Sequence, residues 1–402
     1  MAHTESFDFI IIGAGIMGLT VARELANRRP RPRILILEKE SAIGQHASGR
    51  NSGVIHAGIY YAADSMKARF SVDGHRRLIA FAEAKGIPLL KCGKVIVATK
   101  PANVATLETL MERAGRSGVK AERITLARLR ELEPSAKSFD HALWSPETAV
   151  VDSGKVLEAL AEELREKGVR IEFTEAALDF DIAGRTVYTE DREWRFEHLF
   201  NTAGTHADEI AHAFECGEDY RILPFKGLYW KAAPGFAKKI ERLIYPAPDI
   251  NMPFLGVHIT RTTDSKVLFG PTAIPAFGRE NYGLLSGLDL SETTKICYRL
   301  SKMLVKNPNH LRNYVREEIA RYVPRNFFLE AQTLVQELKR EDIGDFYKVG
   351  IRAQLMNVKT DRLEMDFLME HGPNSTHVLN AVSPAFTGAL ALAPYIVSEA
   401  RV

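Results

Sequence analysis

The chain has 402 residues, enough for about two or three structural units, and its 53 Lys and Arg against 51 Asp and Glu leave a net charge of +2. That balance excludes a general nucleic-acid binder, which needs a concentrated basic surface. Hydrophobic residues at 46% and charged residues at 26% are an ordinary globular mixture able to bury a core without staples. The cysteines, Cys92, Cys216 and Cys297, form no CxxC pair, so neither a disulfide framework nor a metal site is expected.

Residues 1–9 carry Glu5 and Asp8 and read as neither a secretory signal nor a transit peptide. Residues 7–12 (FDFIII) form an isoleucine-rich run of the kind found in strands buried on both faces. The run opens directly into Gly13-Ala14-Gly15-Ile16-Met17-Gly18. A helical pattern follows, with Leu19, Ala22 and Leu25 on one side, and residues 33–37 (RILIL) read as a second strand closing on Glu38. The chemistry of this order is specific. Gly13 permits the tight turn, Gly15 lets a pyrophosphate approach the backbone, and Gly18 lets helix and strand pack closely. The phosphates would sit at the helix N-terminus, where unpaired N–H groups and the helix dipole favour negative charge. Glu38, at the end of the second strand, is placed to accept hydrogen bonds from a ribose. Dinucleotide binding follows from the context, not from the glycines alone.

Asp64 is expected to cap a helix reaching about Lys85, with Phe70, Leu78, Ile79 and Ala82 inward and Gly86 as its stop. Residues 94–99 read as a strand, and 103–116 as a helix facing inward through Val104, Leu107, Met111 and Ala114. Ser153 begins a further helix, with Val156, Leu157, Leu160 and Leu164 in line and Gly168 ending it. Residues 169–173 are a strand, and the alternating stretch 176–198 is an antiparallel meander. A strand at 199–201 runs into a second glycine turn, Ala203-Gly204. From 221 to 345 prolines cluster, Pro253 among them, and short strands alternate with turns around one clear helix, 291–306. The end returns to the opening style, with a strand at 377–382 and a helix at 388–400. No run reaches the roughly 18 uninterrupted apolar residues of a membrane span. Residues 381–397 come nearest, broken by Ser383, Pro384, Thr387 and Pro394. A cytoplasmic location is expected. Peripheral contact with the inner face of the plasma membrane needs no span, and exposed apolar residues near the last helix would favour it.

Two features favour FAD over NAD. The fingerprint occurs once, whereas enzymes that reduce a flavin with NAD(P)H often carry a second βαβ unit. Residues 45–61, QHASGRNSGVIHAGIYY, form a stretch too polar for core. With Glu38-Lys39, the run Ser48-Gly49-Arg50-Asn51-Ser52-Gly53-Val54-Ile55-His56 resembles the D-amino-acid-oxidase-type flavoproteins. More narrowly it resembles the L-2-hydroxyglutarate dehydrogenase/oxidase family. Later pieces agree in order: Asn201-Thr202-Ala203-Gly204, Phe225-Lys226-Gly227-Leu228-Tyr229, Leu255-Gly256-Val257-His258-Ile259-Thr260, Gly350-Ile351-Arg352 and Ser383-Pro384-Ala385-Phe386-Thr387. The chain departs at Ala353, where that family often has Pro, and at Ala385, where it often has Gly.

The resemblance implies an α/β chain built from a Rossmann-like FAD-binding domain, with a parallel sheet and β-meander, and an inserted substrate domain with a mostly antiparallel sheet. The expected division is 1–90, 150–220 and 346–402 for FAD, and 91–149 and 221–345 for substrate. It implies oxidation of L-2-hydroxyglutarate to 2-oxoglutarate, with a quinone, oxygen or an electron-transfer protein taking the electrons. An amine or amino-acid oxidase of the same fold, or a non-catalytic flavin-binding module, are the alternatives.

A flavin does hydride chemistry itself, so the protein must orient the substrate, hold its charge and accept one proton. Arg352 is the expected carboxylate anchor, because a guanidinium suits bidentate recognition. His56 and His258 are the candidate bases, since imidazole titrates near working pH. His56 is also the residue at which a covalent flavin link would form. Lys226 is a candidate for a second carboxylate or for the flavin edge, and Tyr60 and Tyr61 for the pocket wall. The expected cofactor contacts are the fingerprint residues 13–18 with Glu38, Lys39, Ser48, Asn51, Ser52, Gly53, Ala177, Ala203 and Gly204. Phe386, Thr387 and Gly388 complete them, presenting backbone N–H groups at a helix start to the flavin's electron-rich edge.

Overall fold

The computed structural model describes residues 5–250, 254–308 and 311–402. The first four residues of the chain start read above, and Pro253 of the proline cluster, lie outside the described residues. The fold is α/β and divides into two units: Met1–Asn51, Ser153–Pro224 and Arg352–Val402, and Ser52–Asp152 with Phe225–Ile351.

In the first unit a parallel series runs Arg170–Phe173, Ile34–Glu38, Glu5–Ile12, Glu193–Asn201 and Ser375–Asn380 across one sheet. Such a sheet is covered on both faces, which is why Ile10, Ile11, Leu35 and Ile36 are all fully buried in continuous apolar runs. The strand Glu5–Ile12 lies inside the series, with its sequence neighbour on one side and a late strand on the other. The order therefore reverses at its carboxyl end, the place where open α/β sheets take ligands. Helix Ile16–Ala26 packs against both Ser153–Glu166 and Ala385–Glu399. The meander is present: Asp179–Asp181 and Thr186–Tyr188 add antiparallel to the first half of Glu193–Asn201. Leu199 to Asn201 is the second half of that same strand, not a separate one.

The second unit is built on a mostly antiparallel sheet. From Tyr220–Ala232 it passes through Val267–Gly270, His258–Arg261, Leu243–Pro246, Lys94–Val97 and His141–Ser145 to Glu122–Thr125. The pair Lys94–Val97 with Leu243–Pro246 is parallel. One face carries an apolar cluster with Val95, Val97, Ile244, Ile259 and Phe269. Ile96, Leu243 and Tyr245 face a second cluster with Tyr60 and Leu107.

Several local expectations change. Residues 52–90 fall in the second unit, because Val54–Ile55 pairs with Ala149–Val151, which also pairs with Leu89–Leu90. The cap of helix Met66–Ala84 is Ser65, whose Oγ accepts from Ala68 N at 3.1 Å. Helix Leu290–Lys306 is followed by Leu311–Ala320 and Pro324–Gln332. Exposed Ile319 and Leu329 blur the apolar periodicity of these two, and exposed Tyr322 and Val323 lie in the turn between them. Arg352 lies within the long strand Ile343–Asn357, not between a strand and a loop. The last strand and helix are Ser375–Asn380 and Ala385–Glu399, which puts Phe386, Thr387 and Gly388 in the helix's first turn. Most of that helix is buried, so it presents little apolar surface. Among the described residues no helix is long and apolar enough to cross a membrane.

Candidate active site

In the first unit the strand Glu5–Ile12 ends at Gly13, whose φ of +96° is readily adopted only by glycine. A Cβ there would stand 3.0 Å from the carbonyl oxygen of Thr202. Thr202 closes the turn from the neighbouring strand, its Oγ1 donating to Ile12 O at 2.8 Å. At Gly18 a Cβ would lie 2.9 Å from Thr202 Oγ1 and closer still to Gly13 O, so glycine alone lets helix and turn meet. Gly15 is the N-cap and offers no side chain to the helix N-terminus. Ser48, from a loop distant in sequence, accepts from Ile16 N at 3.0 Å. Asn51 holds that loop, donating to Ser48 O at 2.6 Å.

Glu38 is 8% exposed, and its carboxylate already bridges the turn. One oxygen accepts from Ala14 N at 2.8 Å and the other from Glu40 N at 3.0 Å. Each oxygen keeps a lone pair for a hydroxyl. Lys39 pairs with Glu40, which also meets His46 Nε2 at 2.9 Å. The Lys39 and His46 hydrogen bonds hold the Glu40 carboxyl below its ordinary value. Ala203 N donates to Asn201 Oδ1 at 3.2 Å, and Gly204, at φ +60°, starts a short 3-10 turn. Ala177 packs against the apolar cluster around Phe7 and Trp194. The helix beginning at Ala385 has no side-chain cap, and Gly388 N makes its first helical bond to Pro384 O at 2.9 Å. Arg352 is half-buried on its strand.

In the second unit Gly53, at φ +74°, lies against Val151, where a Cβ would be well inside contact with the backbone. This anchors the run that leads from Ser52 to His56. His56 and His258 come together around Tyr245. His258 stacks on its ring at 3.9 Å between centroids, and His56 meets it edge-on at 6.5 Å. Gly256 O lies 2.9 Å from His258 Nδ1. Lys94 is fully buried, with Nζ 4.3 Å from the centre of the Tyr60 ring and 4.9 Å from that of Tyr245. Burial lowers the Lys94 ammonium to about 7. Burial, then the charges of Lys94, His258 and His75, hold the His56 imidazole well below 6.5. Burial also pushes the Tyr60 and Tyr245 phenols up. Tyr61 is half-buried beside this apolar cluster. Lys226 is not part of the grouping around Tyr245. Its ammonium donates to Gly283 O at 2.8 Å, and desolvation lowers its pKa.

Lys94 and Tyr245 were not among the residues singled out from sequence, and Thr202 was given no role beyond its place in the run Asn201-Thr202-Ala203-Gly204. Thr202 follows a strand and looks like any turn threonine. Lys94 alternates with Ile96 and Ala98, both buried. A lysine in step with two core positions was the available signal.

A strand, a glycine turn, a helix and an acid closing the next parallel strand define a dinucleotide-binding α/β protein. Residues 8–398 match the sequence profile of the FAD-dependent oxidoreductases, and the chain belongs to that family. The turn fits FAD. Gly13 and Gly15 offer no side chains at the helix N-terminus, and Glu38 keeps acceptor capacity beside it. An L-2-hydroxyglutarate dehydrogenase from Salmonella houtenae is 35% identical over 98% of this chain and 93% of its own length. The human mitochondrial L-2-hydroxyglutarate dehydrogenase is 33% identical, covering 100% of this chain and 90% of that protein. Among solved structures, an FAD-bound L-alpha-glycerophosphate oxidase from Mycoplasma pneumoniae shares the fold. Its TM-score is 0.77 at 20% identity, covering 99% of this chain and 96% of that one.

Proposed function

We propose that this protein oxidises L-2-hydroxyglutarate to 2-oxoglutarate. The observation that carries the reading is the 35% identity to an L-2-hydroxyglutarate dehydrogenase over nearly the full length of both chains. The first unit is the cofactor unit, holding FAD through Gly13, Ala14, Gly15, Ile16, Met17, Gly18, Glu38 and Ser48, with Ala203 and Gly204 beside the turn. The first turn of helix Ala385–Glu399 serves the flavin's pyrimidine edge through backbone N–H groups. The second unit is the substrate unit. Bound FAD supplies a hydride acceptor for the hydrogen on the substrate's C2.

The chain's own residues do the rest. Arg352 binds a carboxylate through two parallel N–H bonds and so fixes which face of C2 is presented. The hydroxyl proton passes to a ring nitrogen of His56 or His258. An imidazole held below its ordinary pKa is uncharged near neutral pH and free to accept it. Loss of that proton and of the C2 hydride leaves the 2-oxo acid. Lys226 steadies the strand it sits on through Gly283 and serves as a reserve cation for the second carboxylate.

A quinone, oxygen or an electron-transfer protein regenerates the oxidant. Leu284, Leu285 and Leu290 are each at least 74% exposed; the first two precede, and Leu290 opens, the helix that carries Lys295, Lys302 and Lys306. Apolar side chains beside cations support peripheral contact with an anionic membrane, hence a quinone. Co-sedimentation with anionic vesicles, lost in Leu284→Ser with Leu285→Ser, checks that part.

The test of the whole reading is anaerobic mixing of the yellow protein with L-2-hydroxyglutarate, with the D-isomer and L-amino acids alongside, while the flavin absorbance is followed. Bleaching by the L-hydroxy acid alone is expected. Bleaching by an amino acid instead would make the protein an amine oxidase. Bleaching by none of them would leave a flavin-binding module.

A further inference from the structure

Lys94 opens a strand in the second unit and is fully buried. Among the described residues, no acid or hydrogen-bond acceptor partners its Nζ. The register explains its neighbours. Lys94 pairs with Leu243, Tyr245 is two residues further along that strand, and Ile244 pairs with Ile259. Alternation then puts Lys94, Tyr245 and His258 on one face, the face that packs into the cluster with Tyr60, Ile96 and Leu243. A methionine or leucine would fill such a position at no electrostatic cost. Two aromatic rings return only part of what an ammonium loses in leaving water. The Tyr60 and Tyr245 hydroxyls, also buried and uncharged, do not neutralise it.

We propose that Lys94 is a positioning residue of the oxidation: a fixed cation behind His56 and His258 that keeps the proton-accepting imidazole uncharged and favours negative charge on the substrate oxygen. This rests on the reading under Proposed function. Lys94 itself gives and takes nothing. The hydroxyl proton goes to imidazole and the C2 hydride to FAD, as above. Full burial of Nζ excludes direct contact with substrate, so the charge acts through the histidines and through space in a low-dielectric surrounding. The groups facing His56 are Lys94, His258 and Tyr245 from three strands, and His75 from the helix Met66–Ala84. Burial lowers the Lys94 ammonium to about 7, so its charge acts on the imidazoles at and below neutral pH and fades above it.

The experiment uses the FAD-loaded protein and Lys94→Met, which keeps the length and removes the charge, with Lys94→Gln as the second variant. The His56 ring is titrated by carbon-13 NMR without substrate, assigned by difference against His56→Gln. Flavin reduction by the hydroxy acid is then followed against pH. Both variants should raise the His56 pKa and move the acid limb of the rate profile upward by about one pH unit. The maximal rate should fall about tenfold or more, with KM changing less than about threefold. The thermal midpoint should rise, because a buried unpaired charge has gone. A loss of rate with no movement of either titration would make Lys94 merely structural, and an unchanged rate and profile would overturn the proposal outright. Should neither variant load FAD, the parent protein decides: a His56 that titrates at or above 6.5 sinks the idea. If no hydroxy acid reduces the parent flavin, the functional reading fails, and the NMR titration still tests Lys94.

Discussion

One substitution, made in two helices, tests the packing logic of the glycine turn. Gly18 sits in the first turn of Ile16–Ala26 and Gly115 in the last turn of Asn103–Ser117; neither needs a positive φ. Gly→Ala gains about 1 kcal/mol of helix propensity at either site. Around Gly115 nothing lies within 4 Å of the added Cβ, so the gain stands. At Gly18 the Cβ would meet Thr202 Oγ1 at 2.9 Å, Gly13 C at 3.2 Å and Gly13 O closer still. Two of those atoms are backbone, so the helix must lift from the turn. Overpacking of this kind costs about 1–3 kcal/mol, occasionally more. The steepness of the clash puts Gly18→Ala at the upper end. The net expectation is about +1 kcal/mol for Gly115→Ala and about −2 kcal/mol for Gly18→Ala. Lifting the helix also moves the N–H groups proposed to meet the pyrophosphate. Chemical unfolding of each variant, with the flavin-to-protein absorbance ratio after purification, measures both effects. Gly18→Ala with parental stability and full flavin would refute the close-packing argument.

Two further outcomes follow from buried polar groups. His198 and His377 are 7% and 0% exposed, and burial, helped by neighbouring histidines, lowers them to about 4 and about 3. An unfolded histidine titrates near 6.5. Their contribution to stability is therefore complete above about 6.5. It is lost as pH falls from there through the folded values, because the unfolded chain binds the protons first. At about 1.4 kcal/mol per unit for each group, unfolding free energy should drop by roughly 3–4 kcal/mol between pH 7 and 5, and equal urea midpoints at the two would contradict this. Arg321 bridges Glu318, which is 0% exposed and also accepts from Ala273 N at 2.8 Å, and Glu330. Arg321→Met should cost about 3–5 kcal/mol by leaving a buried carboxylate unpaired, and Glu318→Gln in the same background should recover much of it.

What the sequence determined by itself was local and periodic. Isoleucines at 10–12 ending in Gly13, the helix that follows and Glu38 closing the next strand specify a dinucleotide turn, because each step is fixed by neighbours a few residues away. The meander and the helix from Ser153 were legible for the same reason. Tertiary structure alone decided matters that depend on residues far apart. Ser48 caps a helix that begins 32 positions earlier, and Thr202 closes the Gly13 turn from another strand. Arg352 falls inside a long strand because an adjacent strand pairs beyond the reach of its own short apolar pattern. Lys94 reads as an ordinary strand-opening lysine until the register with Leu243–Pro246 brings the Tyr245 and Tyr60 rings over it. Its burial, and hence its altered charge, comes from strands remote in the chain; the local pattern shows only a lysine in step with buried Ile96 and Ala98.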